Sequence, residues 1–265
     1  MLDKQSPIGI IDSGIGGYSV ARRMQRLLPH EDFLYLGDGA NTPYGNHSAP
    51  EILSMTRRLL RFMEVRRVKA LVIACNTISC VAEQLSGALK CPVLNVLHSG
   101  AQAAARLELE QVGVISTCFT AQSGCYGERI RRLSPNTQVI SRGCPDLAEL
   151  IERYIDQPGG EVLIDRAIQE SLAGLEEVRH LLLACTHYPL AEDRFRRLYP
   201  DRVWIDPAEE LAACVKHFLA ENNLLNPSPG LGHMEICTTG SARDYARKAE
   251  KAGLRQITCV RHLAV

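Results

Sequence analysis

Two short segments run an apolar stretch into a cysteine and continue with hydrogen-bonding side chains: Leu71-Val-Ile-Ala-Cys75-Asn-Thr77 and Leu181-Leu-Leu-Ala-Cys185-Thr-His187. A thiol at the carboxyl end of a buried strand faces the crevice where open α/β sheets bind their ligands. The pKa of a free cysteine, about 8.5, lies close enough to neutrality for neighbours to tune it into an acid or a base. Two such thiols facing one substrate from opposite sides have the arrangement needed to take a proton from one face of a carbon and return one to the other. His187, just beyond Cys185, is placed to lower that thiol's pKa or to relay its proton.

Two more segments read as parts of a small-molecule site. Asp12-Ser-Gly-Ile-Gly-Gly17 lies between a strand pattern and a helix pattern. Glycines there allow a tight turn and the close approach of a ligand to the backbone. The run is neither a Walker loop nor a G-x-G-x-x-G fingerprint, which argues against nucleotide binding. Asp12 stands at this strand end, a place for a small ligand. The loop from Gly37 to Gly45 is rich in turn residues, and its Pro43-Tyr44-Gly45 can turn the N–H groups of Tyr44 and Gly45 toward a carboxylate. Asp38 in the same loop reads as a turn or cap residue.

The elements that must position these groups alternate. Strand patterns cover Pro7–Ile11, Phe33–Leu36, Ala70–Ala74, Val93–Val96, Gln111–Ile115, Thr137–Ile140, His180–Ala184, Arg202–Ile205, Met234–Thr238 and Gln256–Val260. Several are unbroken Val/Ile/Leu runs, as in strands covered on both faces. Helix patterns lie between them; one stripes Ile52, Thr56, Leu59, Leu60 and Met63 on one face, with Arg57, Arg58 and Arg61 on a solvated face. The alternation predicts parallel sheets with crossover helices. Ile8-Gly-Ile-Ile-Asp-Ser13 and Val112-Gly-Val-Ile-Ser-Thr117 open two units of similar style, each followed by a cysteine strand. Two similar doubly wound α/β domains are therefore expected, with the site in the cleft between them: residues 1–97 with 208–265, and residues 98–207.

The chain has 265 residues, enough for one large domain or two ordinary ones. Apolar content is 46%, and 30 basic residues balance 30 acidic ones, so no net field draws it to nucleic acid or anionic lipid. The start lacks a signal-peptide core and no apolar run reaches membrane-spanning length, so a cytoplasmic location without membrane or nucleic-acid partners is expected. Ten cysteines without an export signal read as free thiols, most of them small core residues. With no C-x-x-C and no paired histidines at ligand spacing, a metal site is not expected.

Taken together, Asp12 to Gly17, Gly37-Asp38 with Pro43-Tyr-Gly45, Ala74-Cys-Asn-Thr77 and Cys185-Thr-His-Tyr-Pro189 resemble, in order and spacing, the motifs of the glutamate racemases within the cofactor-independent aspartate/glutamate racemase superfamily. The resemblance runs from about Pro7 to Pro207. It implies a homodimeric, cofactor-free isomerase that supplies D-glutamate for peptidoglycan. It also implies that Cys75 and Cys185 are the catalytic thiols, with Asp12 beside Cys75 and His187 with Glu152 beside Cys185. Ser13, Pro43, Tyr44, Gly45, Asn76, Thr77, Thr117, Thr120 and Thr186, together with Asp12 and His187, match substrate-contacting positions. Asp146 and Glu149, near Glu152, are expected to face solvent. The chain departs from the family pattern at Gly39 (usually Thr or Ser), Asn41 (usually Arg), Cys80 (usually a small residue) and Ala184 (usually Gly). A racemase of a related amino acid such as aspartate, or a non-catalytic binding paralogue, remains the alternative.

Overall fold

The computed structural model describes residues 3–85, 87 and 90–264, folded into two α/β lobes. The chain begins with β1 (Ile8–Asp12), α1 (Tyr18–Leu27), β2 (Phe33–Gly37), α2 (Ala49–Val65), β3 (Ala70–Ile73), α3 (Asn76–Val81), β4 (Val93–Asn95) and α4 (Val96–Ala105). It continues through β5 (Gln111–Ser116), α5 (Cys118–Ser123), α6 (Cys125–Leu133), β6 (Gln138–Gly143), α7 (Leu147–Tyr154) and α8 (Gly160–Ser171). Then come β7 (His180–Ala184), α9 (Glu192–Leu198), β8 (Val203–Ile205), α10 (Pro207–Glu221), β9 (Met234–Thr238), α11 (Ala242–Lys251) and β10 (Ile257–His262).

All ten expected strands are present. The largest difference is β6, which runs on to Gly143 because its pairing with β5 continues as far as Ser116. Every strand pair is parallel, in a six-stranded sheet of order β10-β9-β2-β1-β3-β4 and a four-stranded sheet of order β6-β5-β7-β8. The winding β2-β1-β3-β4 repeats as β6-β5-β7-β8, and β9 and β10 extend only the first sheet.

The unbroken apolar strands reflect burial on both faces. Ile8, Ile10, Phe33, Tyr35, Ala70 and Val72 pack on one side of the first sheet, while Ile11, Leu34, Leu36, Leu71 and Ile73 pack on the other. The second sheet divides in the same way, with Ile115, Leu181 and Leu183 opposite Val112, Val114, Leu182 and Ala184. Period-two alternation thus survives inside sequences that look uniformly apolar.

The expected boundary between residues 97 and 98 falls inside α4, which packs against both α6 and α10. Helix α10 starts at Pro207, capped by the Asp206 side chain, and lies on α1 and α4 as the chain returns to the first lobe. Among the described residues no helix is long and apolar enough to cross a membrane. The expectation that most cysteines are core residues needs correction: only Cys75, Cys144, Cys185 and Cys237 are buried, while Cys259 is exposed and the other five are half-buried. Cys80, Cys118 and Cys125 lie at helix ends and Cys91 just before β4, whereas Cys214 lies midway along α10.

Candidate active site

The two halves of the site arise in equivalent places. In the first sheet the neighbours β1 and β3 send helices from their carboxyl ends, leaving Asp12 and Cys75 at the crevice; in the second, β5 and β7 do the same with Thr117 and Cys185. Such crevices are where open parallel sheets bind ligands. The lobes face each other so that Cys75 and Cys185 line one small, nearly closed cavity. Ser13, Pro43, Tyr44, Gly45, Asn76, Thr77, Thr117, Thr186 and His187 complete most of its wall. Ala148 also lines it, a residue without polar chemistry to flag it in the sequence. Larger hollows near Arg22 and Arg26, and near Arg194 and Lys251, lack the paired thiols; the chemistry, not the volume, locates the site.

Three expected residues sit one layer behind this wall. Asp12 is fully buried; its Oδ1 accepts the Gly14 N–H at 3.0 Å and its Oδ2 accepts the Thr186 hydroxyl at 3.0 Å. Burial, the largest influence, pushes its carboxyl up to about 6 against the pull of His187 and those two donors. Glu152, on α7, accepts His187 Nε2–H at 2.6 Å and the Ile15 N–H from the other lobe at 3.0 Å. Thr120 lies behind Thr77 and Thr117, and the three hydroxyls stand 3.1–3.4 Å apart across the lobe boundary. Of the acidic neighbours of Glu152, Asp146 is exposed and Glu149 pairs with Arg153 at the surface.

The two thiols have different surroundings. Cys75 caps the start of α3 and points its Sγ at Ser13 Oγ, 3.7 Å away. Burial first, and then the negative charge of Asp12, push this thiol up to about 12, so it rests protonated. Cys185 Sγ lies 3.8 Å from His187 Nδ1. Burial alone pulls His187 down, but its bonds to Cys185 and Glu152 together outweigh that and hold it well above the usual imidazole range. For Glu152 too, burial is outweighed, here by the imidazolium, and its carboxyl stays below the ordinary value. His187 therefore rests as a cation between a carboxylate and a sulfur.

The glycine run works differently from the expectation. None of its glycines has a positive φ. A Cβ on Gly14 would come within 2.4 Å of Glu152 Oε2, and one on Gly16 within 2.4 Å of Thr186 Oγ1 and 2.6 Å of His187 Nδ1. These glycines make room for the opposite lobe's side chains, so the close approach they allow is between lobes.

The Pro43–Gly45 loop is held from beneath. Asp38 is not a simple turn or cap residue. It is buried, and its carboxylate accepts hydrogen bonds from Tyr44 Oη (2.6 Å), Asn41 Nδ2 (3.0 Å to each oxygen) and Thr239 Oγ1 (2.5 Å). Asn41 thus fastens the loop where the family pattern has an arginine. Gly39 has its own reason: a Cβ there would meet the Tyr245 hydroxyl at 2.8 Å. The turn's own bonds are donated by Asn46 and His47 to Pro43 and Tyr44, so the Tyr44 and Gly45 N–H groups take no part in them, and both residues line the cavity.

Tyr126 is a further site residue that the sequence did not disclose. Its hydroxyl donates to Asn76 Oδ1 at 2.6 Å across the lobes, which fixes the amide orientation and leaves the buried Nδ2 without a partner. An unpaired buried donor on a cavity wall is costly unless a ligand completes it. It suits one oxygen of a carboxylate. The assembled site offers two thiols, a charged imidazole, several hydroxyls and one unspent amide around one small closed cavity.

Residues 8–215 match the Asp/Glu/Hydantoin racemase family. A glutamate racemase of Caldanaerobacter subterraneus subsp. tengcongensis is 34% identical over 251 residues, 94% of this chain and 92% of its own. Among solved structures, glutamate racemase isoform RacE1 from Bacillus anthracis superposes with a TM-score of 0.88 at 34% identity, covering 97% of this chain and 98% of that one. The Francisella tularensis glutamate racemase in complex with D-glutamate gives 0.86 at 30% identity, covering 99% and 97%.

Proposed function

The chain belongs to the Asp/Glu/Hydantoin racemase family, and on that premise we propose that it interconverts L- and D-glutamate by proton transfer between Cys75 and Cys185. The observation that carries this reading is one small cavity lined by both thiols, one from each lobe. One sulfur removes the α-proton from one face while the opposite thiol delivers a proton to the other, and the roles reverse for the other enantiomer. The Cα–H of an amino acid is a very weak acid, so negative charge developing on the α-carboxylate must be stabilised in place. The Asn76 amide, with the hydroxyl of Thr77, supplies donors for that carboxylate. His187 holds its Nδ1–H toward the Cys185 sulfur and Glu152 keeps that imidazole charged and oriented, so negative charge on Sγ is met as it forms. The resemblance extends the reading to a cytoplasmic homodimer whose D-glutamate enters peptidoglycan.

The test is a circular-dichroism assay of purified protein with L- and with D-glutamate and no added cofactor. Both enantiomers should converge on the same racemic end point. An unchanged signal from either sinks the proposal.

Asp12 sets an acid limit. We assign its ionised carboxylate, just behind the cavity wall, to hold the substrate ammonium, and it ionises only above about 6. We expect kcat/KM to fall as pH drops through that value, and Asp12→Asn to raise KM and remove this limb from a profile taken between about pH 5 and about pH 8. A limb near pH 6 that persists in the variant would exclude Asp12 as its source. The stability sign follows from the same shift. The folded value lies above the ordinary 3.8, so Asp12's contribution to stability is full below 3.8 and is lost as pH rises through about 6.

A further inference from the structure

One cysteine that departs from the family pattern has a partner in space. Cys80, near the end of α3, lies with its Sγ 2.7 Å from Sγ of Cys125, the first residue of α6. The two helices belong to different lobes. Both thiols are half-buried, and the residues just before Cys125 are exposed, so small molecules reach them. The pair stands directly behind the hydroxyl cluster that closes the site: Cys80 Sγ is 3.9 Å from Thr120 Oγ1, which lies 3.4 Å from Thr77 Oγ1 and 3.1 Å from Thr117 Oγ1. The chemistry of the two sulfurs is also unequal. The hydrogen bond from Cys80 pulls the Cys125 thiol below its usual range, with help from Ser123 and the N–H groups that open α6, while the same bond raises Cys80.

We propose that Cys80 and Cys125 form a reversible disulfide that ties the lobes together beside the cleft and stops turnover. A disulfide needs its sulfurs at about 2.05 Å, so closing this pair takes a movement of less than about an ångström. The oxidant is a low-molecular-weight disulfide. The Cys125 thiolate attacks one of its sulfurs, forming a mixed disulfide and expelling one small thiolate. Cys80 then gives its proton to solvent and attacks Cys125 Sγ, forming the Cys80–Cys125 bond and expelling the second thiolate. Two protein thiols lose two electrons and one small disulfide becomes two thiols. The bond acts on turnover because the cleft must open. Cys75 and Cys185 are only 4% and 5% exposed, and Gly45 sits so close to Thr117 that a Cβ would come within 2.4 Å of it. Substrate enters only when α3 and the Gly45 loop part from α5 and α6, which is the motion the disulfide forbids.

The effect on racemisation rests on the proposed function, whereas the cross-link and the closure do not. Full-length protein is incubated with oxidised glutathione, alkylated and mapped by mass spectrometry. The expected product is a peptide joining Cys80 to Cys125. Alkylation of Cys75 and Cys185 by iodoacetamide should slow on the order of tenfold, racemisation should fall comparably, and dithiothreitol should restore both. Cys80→Ser should racemise at the wild-type rate under reducing conditions and keep that rate in oxidised glutathione; Cys125→Ser serves if Cys80→Ser unfolds. The proposal is overturned if no joined peptide forms, if glutathione remains on Cys125, or if Cys75 in the joined protein is alkylated as fast as before. Protein that joins and shields Cys75 but racemises nothing even when reduced supports the switch and counts against the racemase reading alone.

Discussion

Serine at position 75 or at position 185 is expected to abolish racemisation while leaving the fold intact. A hydroxyl is far too weak an acid to exchange a proton with an α-carbon at neutral pH, and a positioned acid or base contributes roughly 10²–10⁴-fold. Both thiols serve every turnover in either direction, so each single variant loses at least that factor. The asymmetry of the site sharpens the expectation. Cys75 rests as a thiol, pushed up to about 12 by burial and by Asp12, whereas Cys185 lies against a charged imidazole. In deuterated water the wild type should place solvent deuterium on the α-carbon of its product. Each serine variant should retain exchange with one enantiomer at most, read by proton NMR of the α-position. Near-normal racemisation by either variant, with an unchanged melting temperature, would show that one thiol suffices and the two-sided mechanism is wrong.

The second large effect concerns side-chain length. Glutamate should be preferred over aspartate by on the order of a hundredfold in kcat/KM, because a misplacement of about an ångström in a reacting centre costs roughly that much. The Tyr44 and Gly45 N–H groups are fixed points for a distal carboxylate, since Asp38 anchors the loop through Tyr44, Asn41 and Thr239. A substrate one methylene shorter cannot reach them and still hold its α-carbon between the sulfurs. Comparing the two amino acids in the same circular-dichroism assay decides the matter. Equal rates would break the assignment of this loop to the distal carboxylate and leave the thiol chemistry standing.

Much of this was legible in the chain, and for local reasons. Parallel strands buried on both faces write themselves as short Val/Ile/Leu runs, so all ten could be placed, and with them the crevice ends at which Cys75 and Cys185 stand. Asn76, Thr77, Thr186 and His187 could be named because they directly follow those strand ends. Local pattern fixes where an element starts and stops. It does not say which side chains meet from elements far apart in sequence.

Most of those meetings came from the tertiary structure alone, and the place of Glu152 beside His187 was otherwise implied only by the family resemblance. Glu152 lies on a helix with two other acidic residues nearby, and nothing local separates it from them. It is the rotation of α7 against the second sheet, and the seating of that lobe on Ile15, that turn Glu152 onto His187. Gly14 and Gly16 read as a ligand turn because their smallness is visible in the sequence, whereas the Glu152, Thr186 and His187 side chains that need the space belong to the other lobe. Asp38 is embedded in turn residues and looks like one of them until Thr239, from beside β9, closes on its carboxylate. Tyr126 on Asn76 and Cys125 on Cys80 are contacts of the same kind, each made across the lobe boundary. The sequence by itself determined the strands, their alternation with helices and the thiols at two strand ends, because burial and backbone hydrogen bonding act over a few residues. The tertiary structure decided which residues face one another across the cleft, because that depends on how two separately folded sheets are set against each other.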